Sequence, residues 1–234
     1  MSIAYCKPKT NNHLIMRIIL YLAAFLSLIS CGENTTAASR EEPTPTQDTP
    51  TPNEEPTAAM PNELNDIEDI RTTFAFITSE IDNGQLDSTA FKYDCHGETG
   101  GTVTYFSHRG QLRMIRHASY AYSHHSAIDR YYILDDQPFF VFYDQESWIF
   151  DPDSDEEGAT KSDITEKRFY LIDNEPVQCL EKKFTTRSSV DDGPNSQNTA
   201  NREVACSGLE DLQKTYDLLL QHRGQREELQ CFLE

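Results

Sequence analysis

Three groups of residues in this chain have the types and spacing to do chemistry. Asp151, Asp153, Asp155 and Glu157 alternate within Asp151-Pro-Asp-Ser-Asp-Glu-Glu-Gly158, and alternating carboxylates are how a loop offers oxygen ligands to a hard cation such as Ca2+. A helix-loop-helix calcium site asks for Gly at the sixth place and Glu at the twelfth. This chain has Glu156 and Ser162 there, so the competing reading is a solubilising hairpin loop. His117, His124 and His125 form the second group, imidazoles near Tyr120 and Tyr122 that lack a carboxylate or thiolate at ligand spacing. Ser107-His108 and Ser123-His124 are adjacent pairs, whereas a Ser–His dyad is assembled in space with a third group, so adjacency carries no weight. No nucleophile motif, cofactor loop or recognisable pair of catalytic carboxylates stands out, and no cofactor is expected.

The third group is aromatic. Tyr131, Tyr132, Phe139, Phe140, Phe142, Tyr143, Trp148, Phe150, Phe169 and Tyr170 crowd a few short segments. At two-residue alternation half of these rings face away from a helix-covered side, and Tyr132, Phe140, Phe142, Trp148 and Tyr170 are the candidates for an outward binding platform. Cross-strand pairs that stabilise the sheet itself are the alternative use of the same rings. Cysteines 95, 179, 206 and 231 make an even set with no C-x-x-C spacing, which reads as two disulfides rather than zinc; three pairings are open, and Cys95 with Cys179 and Cys206 with Cys231 is the one favoured.

The elements that must position these groups follow from periodicity. Asn65, with Glu68 three residues on, resembles a helix cap, and Ile67, Ile70, Phe74, Ile77 and Ile81 then recur at helical spacing until Asn83-Gly84, predicting a helix over 66–82. From Thr89 the pattern changes to strands: 91–95, 101–106, a turn at 108–110, and 112–118. An internal echo follows, because Arg130-Tyr-Tyr-Ile-Leu-Asp-Asp-Gln-Pro138 matches Arg168-Phe-Tyr-Leu-Ile-Asp-Asn-Glu-Pro176 in kind at every position, with Thr104–Leu112 a looser third copy. A repeated hairpin predicts an α+β fold: an antiparallel meander of about six or seven strands, packed by the N-terminal helix, with a further helix over 208–222 carrying Leu209, Leu212, Tyr216, Leu219 and Leu220 on one side. The repeated Tyr-Phe-plus-turn pattern resembles MORN-like repeat proteins, which implies architecture and no activity. One sheet face is expected to be covered and the other wet, and the polar stretch 188–201 to be mobile.

The N-terminus sets the address. Arg17, an apolar run from Ile18 to Ile29, and Ser30-Cys31 have the parts of a secretory signal, and the run is shorter than the roughly 20 residues a spanning helix needs. Leu28-Ile29-Ser30-Cys31 resembles the lipobox of bacterial lipoproteins, which implies a diacylated Cys31 that becomes the first residue after cleavage of residues 1–30. Translation starting at Met16 would suit the signal's basic start. Residues 31–61, with Pro43-Thr-Pro-Thr-Gln-Asp-Thr-Pro-Thr-Pro52 at their centre, are expected to form a lipidated, disordered Pro/Thr-rich tether, leaving 62–234 as a single domain. The net charge of −19 deepens if the signal's Lys7, Lys9 and Arg17 are lost; both nucleic acid and anionic lipid would be repelled. Gly32 lacks the Asp that holds some lipoproteins in an inner membrane, so the outer membrane is the expected site. These features predict a non-enzymatic binding or scaffolding module of the cell envelope, joined to the membrane through Cys31, with an envelope protein or glycan as partner. The alternative is a periplasmic hydrolase or hydrolase inhibitor acting through the loop Asp151 to Gly158.

Overall fold

Alternating apolar and polar residues, broken by short turn sequences, fold this chain into strands that pair in the order in which they occur. The computed structural model describes residues 60, 61 and 63–231. The signal segment, Cys31 and the tether up to residue 59 lie outside the described residues. The elements are α1 (Ile67–Asp82), β1 (Asp87–Cys95), β2 (Thr99–His108), β3 (Gln111–Ala121), β4 (His125–Leu134), β5 (Gln137–Phe150), β6 (Thr160–Ile172), β7 (Glu175–Arg187), β8 (Arg202–Glu203), α2 (Leu209–Gln221) and β9 (Leu229–Gln230). Among the described residues a single sheet runs β8-β7-β6-β5-β4-β3-β2-β1-β9, antiparallel except where β9 joins β1. This is the α+β meander that the hairpin echo predicts, and its elements belong to the unit Glu54–Glu234.

The three echo copies share one turn geometry. Each closes on two successive residues with positive φ: Arg109 (49°) and Gly110 (84°), Asp135 (51°) and Asp136 (59°), Asp173 (51°) and Asn174 (66°). That is the two-residue turn whose twist matches a hairpin, and Gly, Asn and Asp tolerate it best. Each copy also carries a bulge at the same place on its second strand, opposite Phe106/Ser107, Tyr132/Ile133 and Tyr170/Leu171. Pro138 and Pro176 sit beside two of these bulges, where a missing N–H is tolerated.

Helix α1 starts one residue later than its expected cap. Asp66 accepts from the amides of Glu68 and Asp69, while Asp69 reaches back to the amide of Asn65 at 2.9 Å. Ile70 and Ile77 are fully buried against Met114, Tyr132, Phe139, Phe140 and Tyr170 on one sheet face. The opposite face is not wet as expected. Helix α2 covers it, with Leu209, Tyr216 and Leu219 packed on Phe91, Val103, Tyr105, Ile115, Tyr131, Val141 and Phe169. The sheet is therefore the middle of three layers, and apolar residues fill both faces.

Cysteine pairing differs from the favoured one. Cys95 bonds Cys231, and Cys179 bonds Cys206. The reason is topological: Cys95 lies on β1 and Cys179 on β7, near opposite edges, and the chain 202–231 crosses between those edges carrying α2. Strands β1 and β7, each next to an edge, are thereby clipped to the two ends of the crossing segment. Tyr105 Oη donates to the Leu219 carbonyl at 2.7 Å and Tyr216 Oη to that of Asp136 at 3.1 Å, fixing the helix between the clips.

Residues 188–201, the stretch expected to be mobile, make several hydrogen bonds at their boundaries and to the sheet. Thr160 N donates to Ser188 Oγ at 2.8 Å, Lys182 donates to the Ser196 carbonyl, and Arg168 donates to Asn201 Oδ1 at 3.1 Å. Asn195 caps its own turn by accepting from the amides of Gln197 and Asn198.

Candidate binding cavity

Because the hairpins stack in register, side chains on the α2 face form rows across the strands. One row is apolar: Ile115, Tyr131, Val141, Phe169 and Cys179. The next is His117, Asp129, Tyr143, Lys167 and Glu181, and the one after is Ser119, Ala127, Gln145, Thr165 and Lys183. Helix α2 covers the apolar row, and its first turn stands over the two polar rows. Between them lies a cavity of about 550 Å³, floored by residues such as Asp129, Tyr143, Thr165 and Lys167 and walled by Ser207, Gly208, Asp211, Leu212 and Thr215. Volumes of this size suit a small-molecule ligand.

The floor's most constrained group is Asp129, which is only 6% exposed. His117 Nδ1 lies 3.1 Å from Asp129 Oδ2, and His117 Nε2 lies 2.8 Å from Tyr93 Oη. Assigned from these partners, Nδ1–H donates to the carboxylate and Nε2 accepts from the phenol. Gly101 makes the reach possible: a Cβ there would lie 2.8 Å from the Tyr93 ring and 2.5 Å from the Ala118 carbonyl oxygen. Asp129 Oδ1, in contrast, is buried without a hydrogen-bond partner, as is Tyr131 Oη on the same strand. Burial, with Asp129 adding to it, pushes the phenols of Tyr93, Tyr131 and Tyr143 up, so all three remain neutral hydroxyls.

At the other end of the row the sign reverses. Lys167 Nζ donates to the Ser207 carbonyl at 3.2 Å, against the start of α2, whose cap Gly208 supplies no side-chain oxygen. Buried Glu181 is held by Lys183 at 2.9 Å and by Arg202 at 3.1 Å, and the hydrogen bond from Lys183, above all, keeps its carboxyl below the usual range against the effect of burial. Three cations thus face one carboxylate at this end. Asp211, on the α2 wall, is paired with Lys214 at 3.1 Å.

Of the groups singled out from sequence, His125, Tyr143 and Phe169 line the cavity and His117 lies beneath it, while the rest fall elsewhere. The acidic loop does not assemble a cation cage: Arg187 binds both Asp151 and Asp153, Asp155 and Glu157 are exposed, and among the described residues no three His, Cys, Asp or Glu side chains converge as metal ligands. A guanidinium occupies the position a cation would need. The three histidines also part company: His117 is buried under the cavity, His124 packs against Trp148 with ring centroids 4.1 Å apart and planes tilted by 52°, and His125, on the cavity lining, lies 2.9 Å from Ser147 Oγ. The aromatic platform is largely core. Tyr132, Phe140 and Tyr170 are buried beneath α1, and Phe142 lies under Arg130 and Arg168 at 5.2 and 4.6 Å, which leaves Trp148 with Phe150 as the outward pair. These rings stabilise the sheet because α1 takes the face they share.

Asp129 and Lys167 are the residues that sequence reasoning missed, and a signal for them exists. Both immediately precede an echo copy, Arg130 in one and Arg168 in the other, so the repeat alone puts them at equivalent positions. The equivalent residue of the third copy is Val103, buried in the core.

No protein-family model, curated protein or solved structure matches the chain. No helix among the described residues is long and apolar enough to cross a membrane, and the two disulfides are compatible with an exported protein.

Proposed function

We propose that this chain is an exported lipoprotein of the cell envelope, anchored through Cys31, whose domain binds a small polar ligand in the cavity under α2 without transforming it. The carrying observation is Asp129: a buried carboxylate on the cavity floor with one oxygen satisfied by His117 and the other without a partner. Leaving such an atom unpaired costs free energy, and a ligand donor would offset that cost. Binding is favoured over hydrolysis because the imidazole beside this carboxylate has both ring nitrogens engaged and is itself buried, so it has no reach to a substrate.

A lipid on Cys31 would keep the cavity at an envelope surface. Metabolic labelling with a palmitate analogue tests that part: label on the wild type and none on Cys31→Ala is expected. The cavity is tested by titrating the full-length chain, in detergent, with a library of small polar compounds while following amide resonances. Shifts clustering on Ser119, Asp129, Gln145, Lys167 and Thr215 are expected. Shifts confined to other surfaces would overturn the assignment, and turnover of any compound would move it to the hydrolase reading.

A further inference from the structure

Resting on the cavity as the binding site, we propose that its occupant is a short zwitterion of dipeptide size, with its ammonium on Asp129 and its carboxylate on Lys167 at the first turn of α2. The cavity is electrically two-ended. At one end an acceptor oxygen of Asp129 is buried without a donor. At the other, Lys167 Nζ stands beside Gly208, close enough that a Cβ there would be 3.7 Å from it, and the uncapped start of a 13-residue helix adds its own positive end, offset in part by Glu210 and Asp211 in its first turn. Glu181 is already taken up by Lys183 and Arg202, so it does not cancel Lys167 outright.

Spacing selects the size. Asp129 and Lys167 both pair with Tyr143, from opposite sides, which puts their backbones about 10 Å apart at the usual strand spacing. A dipeptide extends roughly 7 Å between its charged ends at about 3.5 Å per residue. That length is of the same order as the separation of the two strands. Along the way the cavity is lined by Gln145 and Thr165 and by Tyr143, whose hydroxyl donates to Gln145 Oε1. An uncharged ligand of the same volume would bury both charges without a counter-charge, and a ligand of one sign would be repelled at one end.

Calorimetric titration of the full-length chain in detergent, with dialanine, its N-acetyl form, its C-terminal amide and the neutral disaccharide maltose, tests the idea. Dialanine is expected to bind, and capping either end to weaken it by about ten- to a hundredfold, the worth of one charge-assisted hydrogen bond. Lys167→Met should abolish the penalty for amidation and keep that for acetylation, with Asp129→Asn giving the converse. Lys167 is partly exposed, so its variant tests the pairing even if Asp129→Asn fails to fold. Maltose binding with no response to dialanine would overturn the zwitterion and leave the cavity as a binding site. Equal binding of dialanine and both capped forms would overturn it as well, and silence from all four compounds together with an empty library titration would remove both proposals.

Discussion

Asp129 and Lys167 stand on the same transverse row of the sheet, two strands apart, with Tyr143 between them and opposite charges turned toward the same cavity. Their placement depends on strand register, on the helix that overhangs them and on the buried relay behind Asp129, and each of these dependences is measurable.

The relay needs the gap at Gly101. Gly101→Ala sets a methyl carbon 2.5 Å from the Ala118 carbonyl and 2.8 Å from the Tyr93 ring, so strand or ring must shift. A loss of about 1–3 kcal/mol is expected from overpacking. Tyr93→Phe, which removes the partner of His117 Nε2 without adding bulk, should cost about 1 kcal/mol. Urea midpoints rank the two, and a neutral Gly101→Ala would contradict the close approach.

The echo turns require left-handed backbone. Asp136→Val places a β-branched residue at φ 59° and should destabilise by about 1–2 kcal/mol, while Asp136→Gly should not destabilise. Thermal melts of the two variants decide it; equal melting temperatures would argue against this turn geometry.

Helix α2 is held by packing as well as by its clips. Leu219 is fully buried, and Leu219→Ala should cost about 2–5 kcal/mol. Exchange of the amides of α2 would accelerate in that variant, and those of α1, packed on the opposite face, would be protected more nearly as before.

Acid stability has a named contributor. The carboxyl of Glu181 is held below its unfolded value of 4.5, chiefly by the hydrogen bond from Lys183. A depressed folded-state pKa gives stability that is present above the unfolded value and is lost as pH falls through the folded one. Urea midpoints should therefore stay level above about pH 5 and fall below it, and Glu181→Gln should flatten part of that fall. An unchanged acid limb in the variant would rule Glu181 out as its source.

How much of this was legible beforehand varies by residue. The helix 66–82, the echo hairpins and the final helix came directly from local spacing, since Ile70, Ile77, Asp135-Asp136 and Asp173-Asn174 act within a few residues of themselves. What covers each sheet face is a long-range matter. The side that α2 covers is decided by where Cys206 and Cys231 are tied, and α1 takes the other side, so rings such as Tyr132 and Tyr170, read as outward, are core beneath α1. The floor of the cavity was hidden for a related reason. Asp129 and Lys167 are ordinary polar residues of strands, and only the pairing through Tyr143 and the overhang of α2 make them neighbours of one space.

The strand order also limits which thiols can meet in the folded chain. Cys95 and Cys179 emerge before their true partners, and an unfolded chain leaves them free to join each other. Once the meander forms, five strands separate β1 from β7, roughly 25–30 Å at the usual strand spacing. That is far beyond the reach of one disulfide. The folded sheet thus rules out one of the three pairings by distance alone, and leaves Cys95 and Cys179 to the two cysteines that flank α2.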